Sequence, residues 1–540
     1  MKIRSLLLGL LVTLISCEEK EQADLIVYEA NIYTVDSLQP RAAAFAVKDG
    51  KFMDVGTSEA ILERYHSNTI VNAEGKTVLP GFIDAHCHFY GLGLNQQRVD
   101  LTGTKSYEEV LQRVVVFQKE KQAPFILGRG WDQNDWALKQ FPHKQRLDEL
   151  FPETPVILER VDGHAYLVNQ KALDLAGITA ETQVEGGAIL KEDGALTGVL
   201  VDNPMGMVDA IIPEFDVNTK VAALKDAEEI CFSYGLTTVN DAGIDRVTIE
   251  LIDSLQKAGA LDMRVYAMIS NIEADVDHFL KQGILKTDRL NVRSVKVYGD
   301  GALGSRGAAL KEPYSDHDGH FGAMVTPVEA IEGLAEKLAD SPFQMNTHAI
   351  GDSANIAVLR AYEKVLKDKG DRRWKIEHAQ IVSPEDMHYF SRNILPSVQP
   401  THATSDMYWV EERIGAARME GAYAYRKLLE ESGIVALGTD FPVEQVSPFL
   451  TFYASVARKD LQGYPEGGFQ PEDALTREET LKGMTLWAAW SNFEEEEKGS
   501  IEPGKLADFI FLDKDIMEVP LEQVPGIQVE QTWVGGKKVK

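Results

Sequence analysis

Leu79-Pro80-Gly81-Phe82-Ile83-Asp84-Ala85-His86-Cys87-His88 is the stretch on which the fold is read. Pro80 and Gly81 punctuate its start, and an apolar run then ends in His-x-His. Residues i and i+2 of a strand share one face, so both imidazoles aim at one point, as a metal ion requires. A lone His-x-His has innocent explanations. This one is joined by three more apolar runs, each carrying a ligand-type residue near its end: Gln344-Met345-Asn346-Thr347-His348, Trp374-Lys375-Ile376-Glu377-His378 and Ile434-Val435-Ala436-Leu437-Gly438-Thr439-Asp440. In a parallel barrel all strand C-termini open on one face, where active sites sit.

Working outward, residues from about 79 to 500 alternate short apolar runs with helical periods. The runs include 124–127, 237–239, 264–269, 292–298, 343–347 and 434–437; helical periods cover 328–339 and 355–367. That alternation predicts a parallel sheet, open or closed. The two ends read differently. Residues 23–28, a hairpin over 42–55 with Asp49-Gly50 at its turn, the run 507–512 and a Gly535-Gly536 hairpin are all β-like. One small β-domain built from both termini is the expectation. The polar, Gly-rich stretch 131–213 is long for a loop and predicts an inserted subdomain. The expected division is 18–79 with 500–540 as the β-domain and 80–499 as the barrel, with an insertion over about 131–225. The acidic run 494–497 reads as a solvated loop.

Acidic residues number 84 against 55 Lys and Arg, a formal charge of −29, and no basic stripe interrupts this balance. A nucleic-acid partner is thereby excluded. The 3 cysteines, Cys17, Cys87 and Cys231, have no Cys-x-x-Cys spacing, which excludes a disulfide framework and a thiolate zinc site. Cys87 points away from its flanking histidines and reads as packing. At the N-terminus, Lys2 and Arg4 precede an apolar run over 6–15 that is too short to span a bilayer and fits a secretory signal. Leu14-Ile15-Ser16-Cys17 resembles a bacterial lipobox, so residues 1–17 are expected to be a lipoprotein signal with Cys17 as the lipid attachment site. An exported protein of the bacterial cell envelope, touching membrane only through that lipid, is implied.

Taken together, these residues resemble the amidohydrolase superfamily, and within it the branch of N-substituted formamide deformylase-like metal hydrolases, amidohydrolase family 3. The resemblance covers nearly all of the mature chain, from Leu79–His88 to Gly504-Lys505-Leu506-Ala507-Asp508. It implies a (β/α)8 TIM-like barrel beside a small β-sandwich made from both termini. It implies a ligand set of His86, His88, His348, His378 and Asp440. Lys296, in Ser294-Val295-Lys296-Val297-Tyr298-Gly299-Asp300-Gly301, matches the lysine that binuclear members carboxylate with CO2 to bridge two divalent ions, zinc being the expected metal. By alternation Lys296 points inward and Val295 and Val297 outward. The resemblance makes Asp440 the proton carrier for a metal-bridging hydroxide. Matches confined to the branch nominate His164 to polarise the scissile carbonyl, Trp131 to wall the pocket, Asp162 beside it, and Arg306 to clamp a substrate carboxylate. The implied activity is hydrolysis of a non-peptide C–N bond, a linear amide of a small molecule. A mononuclear deaminase, an ester, lactone or phosphoester hydrolase, and a non-catalytic lipid-anchored binding protein remain as alternatives. Self-association as a homo-oligomer is left open.

Overall fold

The computed structural model describes residues 20–96, 98–213 and 215–540. The segment read above as a signal, with Cys17, lies outside the described residues.

Eight parallel strands run in sequence order around a barrel. They are β1 (Phe82–Cys87), β2 (Leu236–Ile244), β3 (Arg264–Ser270), β4 (Leu290–Tyr298), β5 (Gln344–Ala349), β6 (Trp374–His378), β7 (Ile394–Val398) and β8 (Ala436–Leu437). Helices such as Val328–Ala339 and Asp352–Leu366 cover the outside. Burial on both faces explains why the strands read as apolar runs.

β8 is only two residues long, and the ring closes through the chain that follows it. Asp440 N–H donates to the His86 carbonyl and His88 N–H to the Phe441 carbonyl, both at 2.8 Å. Asp84 locks the same seam. It accepts from Thr439 N–H (3.0 Å) and Thr439 Oγ1 (2.7 Å). Burial pushes the Asp84 carboxyl up to about 7 against these bonds. Gly438 is required here, because a Cβ would sit 2.5 Å from His86 N.

Two further sheets form the sandwich. One has four strands, Lys51–Gly56, Ala44–Lys48, Leu25–Tyr28 and Ile70–Asn72. The other joins Lys537–Lys538, Val529–Val534 and Phe509–Leu512 to Thr77–Pro80, Asn31–Tyr33 and Arg41–Ala42, so both chain ends share one sheet. Phe45, Phe52, Phe509 and Trp533 fill the space between them. Arg264 of β3 ties this sheet to the barrel through a buried two-point pair with Asp508, at 2.6 and 2.9 Å.

Between β1 and β2 the chain leaves the barrel and builds a separate six-stranded sheet. Its strands lie between Val99 and Asp202, so the insertion begins earlier than its composition suggested. Residues 124–127, read above with the barrel runs, belong to it. The strand Ile126–Trp131 pairs in parallel with Val156–Arg160 and not with a barrel strand. A buried parallel strand has the same pattern in either sheet, so periodicity could not separate them.

The acidic run also differs from its reading. Glu494 is 2% exposed and binds Lys286 (2.6 Å) and Lys498 (3.2 Å). Burial alone would raise its carboxyl, but the two ammonium groups hold it down at about 2. Glu494 is therefore a buried tie between the chain after β3 and the C-terminal segment.

Candidate metal centre

β1 carries His86 on its inner face, and His88 follows directly. Lys296 comes from β4, His348 from β5, His378 from the end of β6 and Asp440 from the turn after β8. All six converge at the C-terminal mouth. His86 and His378 rings have centroids 4.7 Å apart, and His348 and His378 4.5 Å. Lys296 Nζ lies 3.2 Å from His86 Nε2. Asp440 Oδ1 is 3.5 Å from His86 Nε2 and 3.3 Å from His88 Nε2. His378 and Asp440 hold their places with left-handed φ values of 74° and 63°, and Ala379 follows with 44°. Such backbone conformations are costly for residues with side chains and cluster at functional sites.

The surroundings turn the imidazoles toward one point. His86 Nδ1–H donates to Glu377 Oε2 at 2.6 Å, with both side chains fully buried. His378 Nδ1–H donates to Gln399 Oε1 at 2.7 Å. Each bond leaves Nε2 as the free donor atom, the arrangement that orients histidine ligands. Glu377 was not picked out from the sequence. Exchanging it for Gln is expected to weaken metal binding by about 10–100-fold. Competition with a chelator reads this directly; an unchanged affinity would mean that Glu377 does not orient His86.

The sequence reading also missed His402. It sits in the helix Pro400–Asp406 after β7, with Nε2 3.3 Å from Asp440 Oδ2 and Nδ1 3.2 Å from Glu444 Oε1. Ligand atoms of His86, His88 and Asp440 form one group within 4.8 Å of one another, and those of His378, His402 and Asp440 form a second. Asp440 thus belongs to both.

Electrostatics suit a cation. Burial, with the charge of Lys296, lowers the pKa of His86. Burial and neighbouring cationic groups hold His348 and His378 well below the usual imidazole range. Burial depresses the Lys296 ammonium to about 8, although Glu377 and Asp440 oppose it. Burial pushes Asp440 upward, but the hydrogen bond from His402 and the nearby His88 and other imidazoles keep its carboxyl well below the usual range. Burial lowers His402, yet its bonds to Asp440 and Glu444 carry it to about 10. His348 Nε2 and Asp440 Oδ1 are buried with no hydrogen-bond partner. Neutral imidazoles, an ionised carboxylate and orphaned donor atoms are the donor set a divalent first-row metal takes, so these residues fit such an ion.

A cavity of about 1230 Å³ opens above this point. The insertion supplies His164 to its wall, 5.1 Å from His348 between ring centroids. Asp162 also lines it, but its carboxylate is occupied by Arg160 (2.5 Å) and the His164 N–H (3.0 Å), so it shapes the turn that carries His164. Two substrate-side expectations are corrected. Trp131 is fully buried in the core of the insertion, its N–H donating to the Leu158 carbonyl at 2.8 Å. It packs beside Trp136 and Phe141 and does not wall the cavity. Arg306 lies outside the cavity and makes a two-point pair with Asp316, at 3.2 and 2.9 Å. An aromatic followed by polar residues signals burial as readily as a pocket, and an arginine fork is satisfied by a structural acid as well as by a substrate. Cys87 is buried against the Asn240 carbonyl, as its packing role required.

A (β/α)8 barrel with imidazoles and a carboxylate gathered at its C-terminal mouth defines a metal-dependent hydrolase of the barrel class. Residues 69–540 match the model of the amidohydrolase family, and the chain belongs to that family. It is 31% identical to the putative amidohydrolase YtcJ of Bacillus subtilis over 94% of this chain and 98% of that one. It is 26% identical to the N-substituted formamide deformylase of Arthrobacter pascens, covering 96% of this chain and 98% of that one. An uncharacterized metal-dependent hydrolase from Pyrococcus horikoshii OT3 superposes with a TM-score of 0.75 at 28% identity, covering 92% and 99% of the two chains.

Proposed function

We propose that the protein hydrolyses a linear, non-peptide amide of a small molecule, using two divalent ions held by His86, His88, His348, His378, Asp440 and a carboxylated Lys296. The observation that carries this reading is the convergence of His86, His88, Lys296, His348, His378 and Asp440 at one point of the barrel mouth, with His348 Nε2 and Asp440 Oδ1 buried and unpartnered. Zinc ions bound there would supply an acidified water and a polarised carbonyl. The side chains do the rest. Asp440 is kept ionised by His402 and His88, so it can take the proton released by the attacking water and deliver it to the departing nitrogen. His164 stands above the ligand histidines and donates to the carbonyl oxygen as charge develops on it. Glu377 and Gln399 keep the ligand rings in place. The cavity above them has room for a substituent well beyond a formyl or acetyl group.

Similarity to a named formamide deformylase makes N-alkylformamides the first substrates to try. Purified protein supplied with zinc and bicarbonate is expected to release formate and amine from an N-alkylformamide faster than it cleaves dipeptides, lactones or phosphotriesters. Preferential cleavage of either of the last two classes would replace amide hydrolysis by ester chemistry on the same residues. A preference for dipeptides would remove the non-peptide assignment.

A further inference from the structure

His164 reaches the cavity from a sheet that is not part of the barrel, so something must register it against the ligands. The residue placed to do so is Asp202, at the end of the strand Ala195–Asp202 and opposite His164 in an antiparallel pair. Asp202 N–H donates to the His164 carbonyl at 3.1 Å, and His164 Nδ1–H donates to Asp202 Oδ1 at 2.6 Å. Asp202 has the left-handed φ of 58°, which turns its carboxylate back toward its neighbour. The other side of that carboxylate is gripped by the barrel. A Cβ on Gly301 would lie 2.5 Å from Asp202 Oδ2, and one on Gly307 2.4 Å from it. Neither glycine has a left-handed φ, so the backbone there would accept alanine; the carboxylate would not. Asp300, next to Gly301, pins this loop to the end of β5 by accepting from Ile350 N–H (2.9 Å), Gly351 N–H (2.8 Å) and Ala309 N–H (2.9 Å). β5 is the strand that carries His348.

We infer that Asp202, seated in the glycine notch of Gly301 and Gly307, is the positioning residue that fixes the orientation of the His164 ring over the metal centre. The inference rests on the role proposed above for His164. With Nδ1–H bound to the carboxylate, Nε2 is the atom presented to the substrate. Donation to the carbonyl oxygen needs the ring that carries hydrogen on both nitrogens, with Nδ1–H on the carboxylate and Nε2–H facing the substrate; the carboxylate sets where that Nε2–H points.

Four variants of the full, metal-loaded enzyme test this: His164→Ala, Asp202→Ala, Gly301→Ala and the Gly301→Ala/Asp202→Ala pair. An N-alkylformamide is the substrate, and metal content and crystal structures are measured alongside. His164→Ala is expected to lower kcat by about 10²–10³-fold. Asp202→Ala should lower kcat by about 10–100-fold with KM and metal content little changed, and its crystal structure should show the His164 ring turned away. Gly301→Ala should also lower kcat, because its methyl displaces the carboxylate. The pair should be no worse than Asp202→Ala alone, since the methyl then has room. If Asp202→Ala does not fold, Asp202→Asn carries the test, keeping the size but removing the charge that fixes Nδ1–H. Wild-type kcat in the Asp202 variants beside a slow His164→Ala, or an unmoved His164 ring in their crystals, would overturn the inference. So would an additive effect of Gly301→Ala. Full kcat in His164→Ala would instead remove the proposed catalytic role of His164, while the position of the ring in the Asp202→Ala crystal still decides whether Asp202 holds it.

Discussion

Lys296→Ala is expected to lose metal and turnover together. Lys296 is 1% exposed, projects from β4 into the barrel, and lies 3.2 Å from His86 Nε2. An ammonium group there can bond an imidazole in the absence of metal, but it would repel divalent ions held by the same imidazoles. Burial brings its pKa to about 8, so near that pH a large fraction of the amine is neutral and able to add CO2. The resulting carbamate is anionic and matches two cations in a way the ammonium cannot. Wild-type protein prepared with zinc and bicarbonate should approach two metal equivalents by elemental analysis. The alanine variant should fall to one or fewer, with kcat down on the order of 10³-fold, since a lost metal removes several kcal/mol of transition-state stabilisation. Short-chain carboxylic acids should restore part of both by entering the vacated space. Normal metal content and rate in Lys296→Ala would show that Lys296 is not the bridge.

The second large effect is expected at Asp440, with the opposite relation between metal and rate. Asp440 Oδ1 lies 3.3 Å from His88, and Oδ2 lies 3.3 Å from His402. Asn keeps the size and one oxygen ligand, but an amide is a far poorer proton acceptor. Asp440→Asn should therefore retain most of its metal while turnover falls by about 10²–10⁴-fold. Because the Asp440 carboxyl is held well below its usual range and stays ionised, the loss should be similar across the accessible pH range and the acidic limb of the pH–rate profile should not move. Near-wild-type turnover in a fully metallated variant would leave Asp440 as a ligand only. Loss of metal with turnover would make metal binding its dominant contribution.

Much of this site was legible because strand periodicity is strict. His86 and His88, two residues apart, share one face of a strand, and His348 and His378 stood at the ends of short runs read as strands. Lys296 was nominated by the resemblance and only its inward direction by alternation, with Val295 and Val297 packed in the apolar core outside the barrel. Alternation failed at β6. Lys375 and Glu377 share the inner face, so His378 ought to point outward; its left-handed φ turns it back, and both Glu377 and His378 reach the site. No rule of two predicts that turn. Gln399 and His402 were within reach of the rule that found the others, since both follow the apolar run of β7, but Pro400 between them masked the helix that presents His402. Asp202 was out of reach altogether. Its partner His164 lies across a strand pair within the insertion, and its other neighbours are glycines of the loop after β4. Residue pairs that meet only across separate sheets leave no local pattern to read.

The seam between β8 and β1 also bears on how the protein is made. Asp84 and Thr439, which lock it, are 355 positions apart, and the strand Thr77–Pro80 ahead of β1 pairs with Phe509–Leu512. A chain emerging from the ribosome exposes β1, with His86 and His88 already on it, long before either partner exists. Until then that strand presents an unpaired edge, a state prone to wrong pairing. Contacts so distant in sequence also form slowly. A nascent chain stopped before residue 436 would hold His86, His88, His348 and His378 and still lack both the closed ring and its carboxylate. In the geometry of the folded chain, the centre is completed only when β8 and Asp440 after it have been made.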